Sequence, residues 1–124
     1  MDALAIDQLR GTVGLEGGDF LVVLSGTADF EARPELAAWI RSLHDEVTKL
    51  GLSRVVVDIK NLEFMSSICV NVFVGWLVTV MELPPSQHYR VHFRWNRSLF
   101  WQRKSLNALS RLAMLIVTTD PPVG

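Results

Sequence analysis

With 124 residues, 49% hydrophobic and 20% charged, the chain is sized and composed for one folded domain and is not a disordered tether. Its single cysteine, Cys69, excludes an internal disulfide and with it a disulfide-stapled secreted scaffold. A net charge of −1 gives no ground for a polyanionic partner, yet the charges are uneven: residues 1–63 hold eleven Asp and Glu against six Lys and Arg, and residues 64–124 hold two against six. The opening Met1-Asp2-Ala3-Leu4 lacks the basic region and apolar run of a signal peptide, so the expected location is the cytoplasm.

The first eighteen residues alternate loosely, with Leu4, Ile6, Val13 and Leu15 apolar, and end in the turn signal Glu16-Gly17-Gly18-Asp19. Phe20 to Leu24 is an unbroken apolar run of strand length, the pattern of a strand covered on both faces. Gly26 to Arg33 reads as loop, and Pro34 then stands where a first helical residue is favoured. Leu36, Ile40, Leu43, Val47 and Leu50 recur at steps of four and three, which predicts a helix with one core-facing stripe, ended by Gly51.

Val55 to Ile59 is a second buried strand, rich in β-branched residues, and Lys60 to Phe64 reads as a connector. Ser66 and Ser67 are placed to cap a helix running to about Met81 and closed by Pro84-Pro85. Phe64 to Met81 is eighteen residues without a charge, the threshold length of a membrane span. Ser66, Ser67, Asn71, Gly75 and Thr79 interrupt it and no cationic cluster flanks it, so a deeply buried helix and no membrane contact is the expectation. In the next segment Tyr89, Val91, Phe93 and Trp95 alternate with Arg90, His92 and Arg94, predicting a strand with one buried and one cationic face. Ser98 to Leu112 reads as a third helix, with Leu99, Leu106, Leu109 and Leu112 inward and Arg103, Lys104 and Arg111 outward; Met114 to Val117 reads as a last strand before the tail at Asp120.

Residues 1–124 thus form a single α/β domain in the order β-β-α-β-α-β-α-β, with parallel neighbours joined by right-handed crossovers. The expected architecture is a central mixed, mostly parallel sheet of about five strands with three or four helices. That order, together with the segment from Val55 to Ser67, resembles the STAS domain of sulfate transporters and anti-sigma factor antagonists. Members carry an apolar strand ending in Asp, a short connector, an apolar residue, then Asp, Ser, Ser or Thr, Gly and a helix. Asp58, Phe64, Met65 and Ser67 fall on matching positions.

The resemblance implies a non-enzymatic protein–protein interaction module of bacterial partner-switching signalling, whose partner is a serine kinase or anti-sigma-type protein. Ser67 occupies the site of the serine that such a kinase phosphorylates. The pattern departs at two places: Ser66 replaces the acid before that serine, and Cys69 replaces the small glycine after it. The first change removes a group held to assist the kinase, and the second puts a side chain where the partner approaches, so binding is implied more directly than phosphorylation. The partner-binding residues expected on this basis are Ser66, Ser67 and Cys69, with Asp29 and Phe30 from the preceding loop.

The residues also have a reading of their own. A hydroxyl on the first turn of a helix lies beside unsatisfied backbone N–H groups, so Ser66 and Ser67 either cap the helix or offer a site where a phosphate is favoured by those donors and the helix dipole. Asp58 lacks the companion acidic pair of a receiver phosphoacceptor, since Ser25-Gly26-Thr27-Ala28-Asp29 follows Leu24, and reads as a structural carboxylate. Cys69 has no phosphatase-type arginine or histidine nearby and reads as a buried thiol. His44, His88 and His92 have no partners at metal-ligand spacing, and no nucleophile–base pair can be named, so no metal, no cofactor and no enzymatic activity is predicted. Arg90, His92, Arg94, Arg103 and Lys104 make a candidate cationic surface: a solvated face, a contact for an acidic protein or a second copy, or more weakly a nucleic-acid site, against which the pI near 6.3 argues. The alternative to a signalling module is a self-assembling scaffold protomer, a homo-oligomer joined through the apolar second helix or the cationic strand.

Overall fold

Two tight reversals start the fold. In the computed structural model, which describes residues 1–123, β1 (Leu4–Ile6) turns at Asp7, held at φ 51°, into β2 (Leu9–Glu16), and Gly17-Gly18, both at positive φ, return the chain into β3 (Asp19–Ala28). Three βαβ units follow: α1 (Arg33–Leu50), β4 (Arg54–Met65), α2 (Ser67–Glu82), β5 (Arg90–Arg94), α3 (Phe100–Leu112) and β6 (Val117–Asp120). Short 3₁₀ turns at Phe30–Ala32 and Pro85–Gln87 lead into α1 and β5. The six strands lie in sequence order, antiparallel from β1 to β3 and parallel from β3 to β6. The expected α/β class and mixed sheet are observed.

Because consecutive parallel strands are also neighbours, right-handed crossovers place α1, α2 and α3 side by side on one face of the sheet. The stripe Leu36, Ile40, Leu43 and Val47 of α1 packs into a core with Phe20, Val22, Leu24, Val55, Val57, Val91 and Phe93 from that face. α2 lies in the middle, touching α1 and α3 as well as the sheet, which is why it is apolar on so much of its circumference. No helix among the described residues is long and apolar enough to cross a membrane.

The structure corrects four readings of element and coverage. Phe20–Leu24 is covered on one face only, since no helix crosses to the other side. The connector Lys60–Phe64 is strand: β4 carries two register shifts against β3, so its buried residues fall at Ile59, Leu62 and Met65, a spacing of three that hides the strand period of two. Gly26–Ala28 is likewise strand, not loop. The last strand begins at Val117, and Met114 and Leu115 stand exposed in the turn before it.

The open face has its own cover. Val56 is fully buried yet lies outside the main core cluster, between Leu21 of β3 and His92 of β5. Glu16 on β2 and Arg94 on β5 pair at 2.7 Å over the two intervening strands, on a diagonal that crosses above Val56. Arg54 and Asp19 pair at 2.6 Å beside them. The Arg94 hydrogen bond and charge hold the Glu16 carboxyl below its ordinary value. Burial, then the positive charges of Arg54 and Arg94, outweigh Asp120 and Asp19 and lower His92 below 6.5.

Two predictions follow from this framework. Gly26 sits at φ 89° with its missing Cβ directed into the carbonyl of Gln8, whereas nothing surrounds the corresponding position at Gly17. Gly26→Ala should cost about 3 kcal/mol or more in urea unfolding and Gly17→Ala only about 1 kcal/mol. Because His92 is lowered in the folded chain, its stabilising contribution is complete above its ordinary value and is lost as the pH falls through the folded value; Glu16 adds the same trend at lower pH. The urea midpoint should therefore fall between about pH 7 and about pH 5, and fall less in His92→Gln.

Candidate functional site

The site is built where β4 hands the chain to α2. β4 pairs with β5 only from Arg54 to Asp58 and then runs on to Met65 beside β3. Its carbonyls on the vacated side are met by side chains instead. Gln102, the one buried polar residue among those described, donates to Ile59 O at 2.6 Å and Leu62 O at 3.0 Å and accepts from Asn96 N at 2.8 Å. Trp101 Nε1 donates to Leu62 O and Asn96 Nδ2 to Lys60 O, both at 3.2 Å. The start of α3 is thereby fixed against the end of β4.

At the junction itself Ser66 N donates to Ala28 O at 2.9 Å, holding the end of β4 to the end of β3. Ser66 is the N-cap of α2, its Oγ accepting from Cys69 N at 3.4 Å, and Ser67 is the first helical residue, exposed to solvent. Asp29 caps the neighbouring 3₁₀ turn, its Oδ1 accepting from Phe30 N at 2.8 Å. Phe30, Phe64 and Ile68 are exposed around this end of the molecule, and Phe100 stands out at the start of α3. Four of the five expected partner-binding residues, Ser66, Ser67, Asp29 and Phe30, are thus brought together.

Cys69 is the exception. It is fully buried, and its Sγ donates to Asp29 O at 3.2 Å, so the side chain in the motif's glycine position points inward and ties α2 to the loop. It presents no surface to a partner. Ile68 lies on the first turn of α2 and Phe64 on a position of the motif, and of the adjacent pair Phe100 and Trp101 it is Phe100 that projects outward.

The cationic residues do not form one surface. Arg90, His92 and Arg94 project from the open sheet face, where Glu16, Asp19, Asp58 and Asp120 stand among them and Arg94 is paired. Arg103 and Lys104 lie on α3, across the sheet, with the Arg103 guanidinium 5.3 Å from the Trp95 ring centre. Asp58 accepts from Lys60 N at 3.0 Å and pairs with Lys60 Nζ at 3.6 Å. Among the described residues no three His, Cys, Asp or Glu side chains converge as metal ligands.

Between α1 and α2 runs a groove of about 470 Å³, lined in part by Arg33, Arg41, His44, Asn71, Gly75 and Thr79. Below it the buried Tyr89 hydroxyl accepts from Trp76 Nε1 at 2.7 Å and shares a 2.6 Å hydrogen bond with His44 Nδ1. Burial pushes the Tyr89 phenol upward and keeps it protonated. This chain links α1, α2 and β5 and was invisible in a linear reading, because its members lie far apart in sequence.

The six-stranded mixed sheet with three helices on one face matches the STAS fold of solved anti-sigma factor antagonists. An anti-sigma factor antagonist from Mycobacterium paratuberculosis superposes with a TM-score of 0.62 at 19% identity, over 86% of this chain and 84% of that one. The protein TM1081 gives 0.61 at 16% identity, over 86% and 77%, and the anti-sigma factor antagonist SpoIIAA in its unphosphorylated form gives 0.54 at 14%, over 88% and 86%. Identities this low establish a shared fold. No family model and no curated protein matches the chain.

The geometry separates the two serines. Ser66→Ala removes the cap and should cost about 0.5–1 kcal/mol in urea unfolding, whereas Ser67→Ala should leave the midpoint within about 0.3 kcal/mol of the parent.

Proposed function

We propose that the chain is a non-enzymatic interaction module of bacterial partner-switching signalling, acting in the cytoplasm and docking a kinase-like or anti-sigma-type protein. The observation that carries this reading is the exposed Ser67 hydroxyl on the first turn of α2, framed by exposed Phe30, Phe64 and Ile68 on a rigidly pinned junction. Apolar side chains supply the contact area and the serine supplies a point of control. A phosphate on Ser67 meets the N–H groups of the α2 start and adds nearly two negative charges at the end of the helix that carries the Asp29 loop, which repels an acidic partner surface with little change in fold. The inward direction of Cys69 removes the obstacle to docking that its side chain presented in the sequence.

Two alternatives carry different support. Nucleic-acid binding through Arg90, His92 and Arg94 loses ground because carboxylates share that face. Self-assembly gains ground from a surface remote from Ser67, described below.

The test is affinity capture from native lysate with the parent chain and the Ile68→Arg variant, with phosphopeptide mass spectrometry at Ser67. A small ATP-binding kinase-like protein retained by the parent and depleted at least about tenfold by the variant is the expected result. If no protein distinguishes the two baits, while circular dichroism shows both folded, the proposal fails.

A further inference from the structure

Connections between a helix and a strand are ordinarily polar, because turn residues meet water on most sides. The connection from α3 to β6 is Ala113-Met114-Leu115-Ile116. Ala113 and Ile116 are buried, and the turn closes on itself: Ile116 N donates to Ala113 O at 3.1 Å and Val117 N to the same oxygen at 2.9 Å. Met114 and Leu115 are left on its tip, 74% and 93% exposed, beside Leu112 at 41%. Leu115 is the most exposed large apolar residue among those described.

At this tip lies an open hollow of about 440 Å³, with Met114 and Leu115 along one side and Met81 at the end of α2, His88, Ala113 and Ile116 along the rest. An apolar projection and an apolar hollow therefore share one patch. We propose that this patch is a homodimer interface, in which Leu115 of one copy fills the hollow of a second copy and the reverse occurs about a twofold axis. Self-complementarity of this kind is what a twofold interface requires.

Charge supports the same occupant. Arg111 borders the hollow, Glu82 follows Met81, and neither has an ion-pair partner within the chain among the described residues. Across a twofold axis each arginine can meet the carboxylate of the other copy. Area sets the strength. The exposed parts of Leu112, Met114 and Leu115, which include much of the hollow's own lining, come to about 400 Å² per copy, so pairing buries about 800 Å², the size of a weak, transient contact. The dimer is accordingly weak and forms only at high protein concentration. α2 has sixteen residues, so about 24 Å separates the Ser67 end from this patch. Pairing leaves both Ser67 sites open at the far ends of a bivalent particle.

Sedimentation velocity of the full chain from about 10 µM to about 1 mM tests the proposal. The weight-average mass should rise from 13.9 kDa toward its double. Leu115→Glu, on a fully exposed tip and so compatible with folding, should weaken association at least about tenfold, as should Arg111→Glu, and adding Glu82→Arg to the latter should restore it. A parent chain that stays monomeric to the top of the range overturns the proposal. So does a dimer indifferent to Leu115→Glu, or a monomer that sediments instead with phosphatidylglycerol vesicles, which assigns the patch to a membrane surface. None of these readouts depends on Ser67 or its partner.

Discussion

A strand that outruns its neighbour organises this molecule. β5 accompanies β4 only to Asp58, and each buried carbonyl left without a donor beyond that point would cost on the order of 1–3 kcal/mol. Asn96, Trp101 and Gln102 supply donors in place of a sixth or seventh ladder rung. Their hydrogen bonds also fix where α3 begins, so one solution satisfies the sheet and positions a helix. On its other edge the same stretch stays paired with β3, and the two strands end together at Ala28 and Met65. Ser66 and Ser67 therefore leave a strand held on both sides, which is why an exposed hydroxyl can sit at a defined place.

The sheet is covered on one face only, and the two faces have different chemistries as a result. The helix face is a continuous apolar core. The open face combines a few half-buried aliphatic residues with long charged side chains that fold over them, the Glu16–Arg94 pair above Val56 being the clearest case. Such a pair earns little as an ion pair in water, but its methylene stems shield apolar surface. The alternating basic residues of β5 are thus half of a mixed-charge cover, with their carboxylates supplied by β2, β3, β4 and β6.

α2 connects two surfaces of different character. At its first turn lie a serine and the exposed Phe30, Phe64 and Ile68, with Asp29 held to Cys69; at its last turn lie an apolar tip and a hollow, with Arg111 and Glu82 in no ion pair among the described residues. About 24 Å of helix separates the two. Cys69 belongs to neither surface. Its thiol secures the loop carrying Asp29 and Phe30 to the helix carrying Ser67, so a departure from the expected motif serves the rigidity of the site.

Local pattern determined much of this. The stripe from Leu36 to Val47, the Gly51 stop, the Ser66 cap and the alternation through Val91 and Phe93 each depend on residues within a few positions of one another, and the structure agrees with them. The serine-bearing junction could be located from the same kind of signal. The strand character of Lys60–Met65 could not, because two bulges against β3 turn its burial period from two to three. Nor could the exposure of Met114 and Leu115, since an apolar run looks the same whether it faces a core or open water. The Cys69–Asp29 contact, the Gln102 bridge and the Trp76–Tyr89–His44 chain were decided by tertiary structure alone. Each joins residues distant in the chain, and which ones meet is set by the side on which the crossovers pass.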